Sequence, residues 1–210
     1  MGTPAGTPAR RPLASRDSRW AQRSAAALAR SSVTPNQISL ISIVFAAAGA
    51  AALMRGGAIA LVLAAVCVQL RLLCNLLDGM VAIEGGKQSP VGSLYNEFPD
   101  RIADSLLLVA LGYAAQMAWL GWLGALLAAL TAYVRATGGA LGLEQDFRGP
   151  MAKPQRMAVL TAACVVGAAE MQWNGTRYAL LAAAILIAAG SALTCATRTL
   201  AIARQLRRQG

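Results

Sequence analysis

Asn75, Asp78, Asn96, Asp100 and Asp104 are oxygen-bearing side chains spaced three and four residues apart within two otherwise apolar stretches. Residues three and four apart share a helix face. Asn75 and Asp78 therefore point the same way, and Asn96, Asp100 and Asp104 form a stripe. The segment Glu84-Gly85-Gly86-Lys87-Gln88-Ser89-Pro90 turns the chain between the two stripes and brings them together. Five of the chain's nine acids (Asp78, Glu84, Glu97, Asp100 and Asp104) fall in this window. Ionisable groups among apolar spans are costly and mark a functional site by default. The chain has no histidine, so the donors are hard oxygens, which favour Mg2+ or Mn2+. Gly79 and Gly92 have no side chains to keep a phosphate from the backbone. One or two ions bridging a diphosphate there would stabilise the attacking and leaving oxygens of an in-line displacement. The competing reading pairs Asp78 and Asp100 with Arg71 or Arg101 as helix locks. Two arginines against five acids leave negative charge uncompensated.

The elements that position these residues are apolar and long. Of 210 residues, 57% are hydrophobic and 13% charged. About 20 apolar residues cross a bilayer core. Runs near that length lie at 38–54, 58–82, 102–118, 120–143, 157–167 with its flanks, and 178–202. Glu170 shortens the fifth. The runs are continuous rather than alternating, which excludes a barrel. The expected fold is an all-α integral membrane protein with six transmembrane helices and an N-terminal interfacial amphipathic helix. Residues 1–17 read as a disordered basic tail, 18–33 as the interfacial helix with Trp20, Ala27 and Leu28 on one face, and 34–210 as the catalytic six-helix domain. Thr34 caps the first span with Pro35 at its first position, and Gly56-Gly57 is a tight turn on the far side.

The net charge of +10 is one-sided. Arg10, Arg11, Arg16, Arg19, Arg23, Arg30, Lys87, Arg148, Lys153, Arg156, Arg204, Arg207 and Arg208 fall on the side of the termini, against Arg55 and Arg177 opposite. By the positive-inside rule the termini and the acidic cluster are cytoplasmic, in a bacterial inner membrane. Anionic membrane lipids account for the basic side, and no nucleic acid is needed. Cys67, Cys74, Cys164 and Cys195 lack CxxC spacing and read as small buried hydrophobes.

The spacing resembles the signature of the CDP-alcohol phosphotransferase (CDP-alcohol phosphatidyltransferase) family, D-x2-D-G-x2-A-R-x8-G-x3-D-x3-D, without a gap. Asn75 takes the first Asp position, Asp78-Gly79 the second Asp and its Gly, Ala82 the Ala and Ile83 the Arg. Gly92, Asn96 and Asp100 take the last Gly and the last two Asp positions. Asn75, Asn96 and Ile83 are departures; Asn keeps a carbonyl oxygen, but two negative charges are gone. The resemblance implies transfer of a phosphatidyl group from CDP-diacylglycerol to an alcohol with release of CMP, by a homodimer. It places Asp78 and Asp100 on the metal, with Asn75 and Asn96 as weaker ligands; Asp104, one turn beyond the signature, would restore one of the lost charges as a further ligand, and Glu97 or Glu84 another. Asp100 is then the base for the acceptor hydroxyl, and Gly79, Ala82 and Gly92 line the nucleotide site.

Arg135, Lys153 and Arg156 suit an anionic acceptor, or serve as positive-inside anchors. Asp104 is a ligand, or a structural partner of Arg101 or Arg135. Glycerol 3-phosphate is the first expected acceptor, with inositol or another polyol phosphate next. An inactive lipid- or nucleotide-binding relative is a second reading. A divalent-cation transporter is a third, although the far halves of the spans are almost purely Ala, Leu, Val and Gly, so a polar path stops midway.

Overall fold

A computed structural model describes residues 18–209. The expected N-terminal tail, with Arg10, Arg11 and Arg16, lies outside the described residues. The described residues form seven α-helices and no strand: α1 (Arg19–Ala29), α2 (Pro35–Arg55), α3 (Ala58–Glu84), α4 (Gly92–Ala114), α5 (Ala118–Ala140), α6 (Lys153–Trp173) and α7 (Tyr178–Gln209). By length and composition α2, α3, α5 and α7 can each cross a membrane. The protein is an all-helical integral membrane protein. The two other long helices, α4 and α6, carry the charged side chains that the site requires.

Helix starts follow local chemistry. The Thr34 hydroxyl accepts from the Gln37 backbone N–H at 3.3 Å, and the Gln37 side chain accepts from the Thr34 N–H at 2.9 Å. This reciprocal box satisfies donors that the first turn of α2 would leave orphaned. Gly56 and Gly57, at φ 72° and 88°, make the far-side turn. Glu170 does not end α6 early. The helix continues to Trp173, and the Glu170 carboxylate accepts from the Ala179 N–H at 3.1–3.2 Å, capping the start of α7. Helix α4 begins at Gly92, well before the apolar run that marked it. Its first turns are polar because they carry the site, and Pro99 is accommodated within them at the cost of one ladder hydrogen bond.

Helix α3 packs on α2 and α6, α4 on α2 and α5, and α7 on α5 and α6. Lipid is as apolar as leucine, so association rests on close packing and polar contacts. Gly112 and Gly121 show this: a Cβ on Gly112 would fall 2.5 Å from the Gly121 backbone. Val44, Ile59, Leu126 and Leu193 are exposed on the outside of the bundle, while Leu53, Leu107, Met157 and Leu160 fill its interior. The cysteines are free; Cys74 and Cys164 are buried and Cys67 and Cys195 partly so.

Helix α1 rests on α3. Ala21 and Ala25 are buried, with Leu28 packed beside them, whereas Trp20 and Ala27 are exposed. Small side chains allow close approach to α3, and Ala29 lies directly behind Gly85. The bulky indole is left on the open side.

Candidate active site

The charged side chains stand in two tiers. In the deeper one, α3, α4 and α6 contribute Arg71, Asp104 and Arg156, each no more than 2% exposed. Arg71 Nη2 donates to Asp104 Oδ1 at 2.5 Å, and Arg156 Nη2 donates to Asp104 Oδ2 at 3.0 Å. Arg156 Nη1 also reaches the Met151 carbonyl at 2.9 Å and Thr131 Oγ1 at 3.4 Å. Asp104 thus pairs with neither Arg101 nor Arg135, its expected structural partners. Those two share Glu97, at 2.8 and 2.5 Å respectively. The helix period explains the switch. Arg101 follows Glu97 by four residues on the outer face, whereas Asp104 shares the inner face with Asp100.

The upper tier opens toward the α3–α4 loop. Ser39 Oγ of α2 donates to Asp78 Oδ2 at 2.5 Å. Asp100 accepts from Asn75 Nδ2 at 2.6 Å and from Arg71 Nη2 at 3.5 Å on Oδ1, and pairs with Lys153 Nζ at 2.5 Å on Oδ2. Asp100 and Lys153 keep side-chain exposures of 12% and 23%, so this tier is open to solvent. Asn75 is half-buried beside them. Asn96 is exposed one turn up the same stripe, and Gly79, Ala82 and Gly92 are partly buried along the rim. A Cβ on Gly92 would meet nothing closer than Ser89 Oγ at 3.4 Å. No protein neighbour therefore requires glycine there. Glu84 and Ile83 are exposed.

The three basic residues expected to cup an acceptor are engaged by three different acids: Lys153 by Asp100, Arg156 by Asp104 and Arg135 by Glu97. Arg135 also lies 5.2 Å from the Phe147 ring centroid. Sequence reasoning missed Ser39, Thr194 and Arg198. Arg198, 4% exposed, donates through Nε to the Arg148 carbonyl at 2.8 Å and through Nη1 to the Thr131 carbonyl at 2.7 Å. The Met151 N–H donates to Thr194 Oγ1 at 3.0 Å. Gly149, at φ 125°, passes so near Thr194 that a Cβ would collide with it. These contacts fix the loop that delivers Lys153 and Arg156. The available signal was Arg198 itself, an arginine inside the last apolar run, ahead of the terminal cluster that begins at Arg204.

The model of the CDP-alcohol phosphatidyltransferase family matches residues 32–203. The archaetidylinositol phosphate synthase of Aeropyrum pernix is 35% identical over 192 residues, covering 91% of this chain and 94% of that one. The chain belongs to the CDP-alcohol phosphatidyltransferase family. Its architecture matches the phosphatidylinositol phosphate synthase of Mycobacterium tuberculosis with CDP-DAG bound, at a TM-score of 0.75 and 23% identity over 88% of this chain and 94% of that one. The same synthase in complex with manganese and citrate gives a TM-score of 0.74 at 23% identity, covering 87% and 88%. CDP-alcohol phosphatidyltransferases are metal-dependent enzymes that use ions such as Mg2+ or Mn2+. The donors here suit such an ion, since Asp78, Asp100, Asn75 and Asn96 offer only carboxylate and amide oxygen. Among the described residues no three Asp, Glu, His or Cys side chains cluster to hold a metal.

Proposed function

We propose that this CDP-alcohol phosphatidyltransferase moves a phosphatidyl group from CDP-diacylglycerol to a polyol phosphate, with inositol phosphate as the preferred acceptor, and releases CMP. The proteins to which the chain is similar are an archaetidylinositol phosphate synthase and a phosphatidylinositol phosphate synthase, which supports ranking this acceptor ahead of glycerol 3-phosphate. The observation that carries the reading is Asp100: a carboxylate at the mouth of the site, oriented by Asn75 and Lys153 beside a second carboxylate, Asp78. Asp100 takes the proton of the acceptor hydroxyl as its oxygen bonds to the lipid-bearing phosphorus. The bond from that phosphorus to the CMP oxygen breaks, and CMP leaves with the electron pair. Lys153 and Asn75 hold the Asp100 carboxylate in place for this step. Asp78 and Asp100, with Asn75 and Asn96, would hold the metal, and a bound ion would supply positive charge to the diphosphate. Gly79, Ala82 and Gly92 give the nucleotide a wall without bulk.

Lys153 and Arg135 lie on the side from which an anionic acceptor approaches, while Asp104 and Arg156 hold that side in place. All six long helices cross the membrane in this reading, with α1 at the interface, the termini and site cytoplasmic, and the chain a homodimer. The one-sided arginines support the orientation. The test is CMP release by detergent-purified protein given CDP-diacylglycerol, Mn2+ and inositol phosphate, glycerol 3-phosphate, inositol, serine or glycerol in separate reactions. Metal-dependent CMP with inositol phosphate ahead is the expected result. Protein that folds yet binds no CDP-diacylglycerol and releases no CMP with any acceptor overturns it.

A further inference from the structure

The family signature places acids at the positions of Asn75 and Asn96. Two carboxylates replaced by amides remove the charge that one divalent ion neutralises. The side chains around the gap are arranged accordingly. Asp78, Asp100 and Asp104 face Arg71, Lys153 and Arg156, three acids against three bases, so the cluster is neutral before any ion enters. Asn75 acts here as a donor: its Nδ2 holds Asp100 Oδ1 at 2.6 Å, a contact that an aspartate could not make and would oppose. The other oxygen of Asp100 is taken by the Lys153 ammonium at 2.5 Å. Three of the carboxylate's roughly four lone-pair sites are thereby occupied by Asn75, Arg71 and Lys153. Arg71 Nε and Nη1 and Arg156 Nε are buried without partners, so cationic donors already outnumber acceptors at this depth. A second ion against Asp100 would meet Lys153 and Arg71 across a low-dielectric gap.

Resting on the transferase reading above, we propose that this chain holds one divalent ion, and that the Lys153 ammonium supplies the second positive centre that another ion would otherwise provide. Lys153 is built in rather than recruited: it is the first residue of α6, and α6 starts where the Met151 and Gly149 contacts to α7 set it. One ion held by Asp78 and the remaining free lone pair of Asp100 then suffices, and the demand for free metal is that of a single binding step.

The test counts ions. The full chain in detergent, saturated with CDP-diacylglycerol, is titrated with Mn2+ by calorimetry and followed by electron paramagnetic resonance. One Mn2+ per chain with an uncoupled spectrum is expected. Lys153→Met should admit a second Mn2+, at least tenfold weaker than the first, while Lys153→Arg stays at one. The double variant Asn75→Asp/Asn96→Asp should bind two ions with spin coupling, and it carries the test if Lys153→Met does not fold. Two coupled ions per wild-type chain, or a folded Lys153→Met that remains at one, overturns the proposal. CMP release with two ions bound removes this inference and leaves the transferase reading standing. Absence of both nucleotide and Mn2+ binding removes both.

Discussion

Asp100 and Asp104 sit four residues apart on one face of α4, both buried and both held by basic side chains, yet their surroundings differ. Asp104 is closed in by two arginines that are themselves fully buried, one on each oxygen. Asp100 keeps an open edge, and its partners are an amide and a lysine that reaches in from the start of α6. Removing a buried charge's partner leaves an uncompensated ion in the interior, so the deep tier locks α3, α4 and α6 together. The upper tier has the more accessible carboxylate and the glycine rim. In the proposed reading, one helical turn separates a side chain that builds the protein from one that does its chemistry.

The contrast can be broken from either end. The largest effects should come from the two aspartates themselves. Asp100→Asn removes the base and should lower CMP release by about 10²- to 10⁴-fold, with the folded state and nucleotide binding retained in a ligand-shift melt. Asp104→Ala leaves Arg71 and Arg156 facing each other and should cost about 3–5 kcal/mol of stability, read as a large fall in detergent melting temperature. Equal melting of wild type and Asp104→Ala would erase the distinction between the tiers. A smaller effect is expected from Ser39→Ala, which strips the hydrogen bond from Asp78. A bond to a charged group typically contributes about 1.5–3 kcal/mol to stability, so a moderate fall in melting temperature is expected, accompanied by weaker Mn2+ binding. Arg135→Ala should matter least to stability, about 1 kcal/mol or less, because Glu97 is substantially exposed and its pair is screened. Its effect belongs on the KM for a phosphorylated acceptor, with CDP-diacylglycerol unaffected.

The sequence made the upper tier readable because spacing on two adjacent helices is a local property. Asp78, Asp100 and their helix faces followed from three- and four-residue intervals, and Thr34 announced its cap by the Pro35 that follows it. The deep tier was not readable in the same way. Arg156 lies 52 residues from Asp104, and nothing local says which of several arginines an acid will meet. Ser39 reaches Asp78 across 39 residues for the same reason. Helix α4 began earlier than its apolar run because hydropathy marks where lipid begins, whereas the helix extends into the charged site. The orientation of α1 also depended on packing: alanines rather than the indole face α3 because the close approach at Gly85 leaves no room for bulk.

The most direct measurement compares CMP release per folded molecule in wild type, Asp100→Asn and Asp104→Asn, with folding scored by CDP-diacylglycerol binding in the same sample. The two-tier account predicts a folded, nucleotide-binding and inactive Asp100→Asn, and an Asp104→Asn whose loss follows its folded fraction while the surviving molecules turn over near the wild-type rate. An Asp100→Asn protein that releases CMP at the wild-type rate contradicts it.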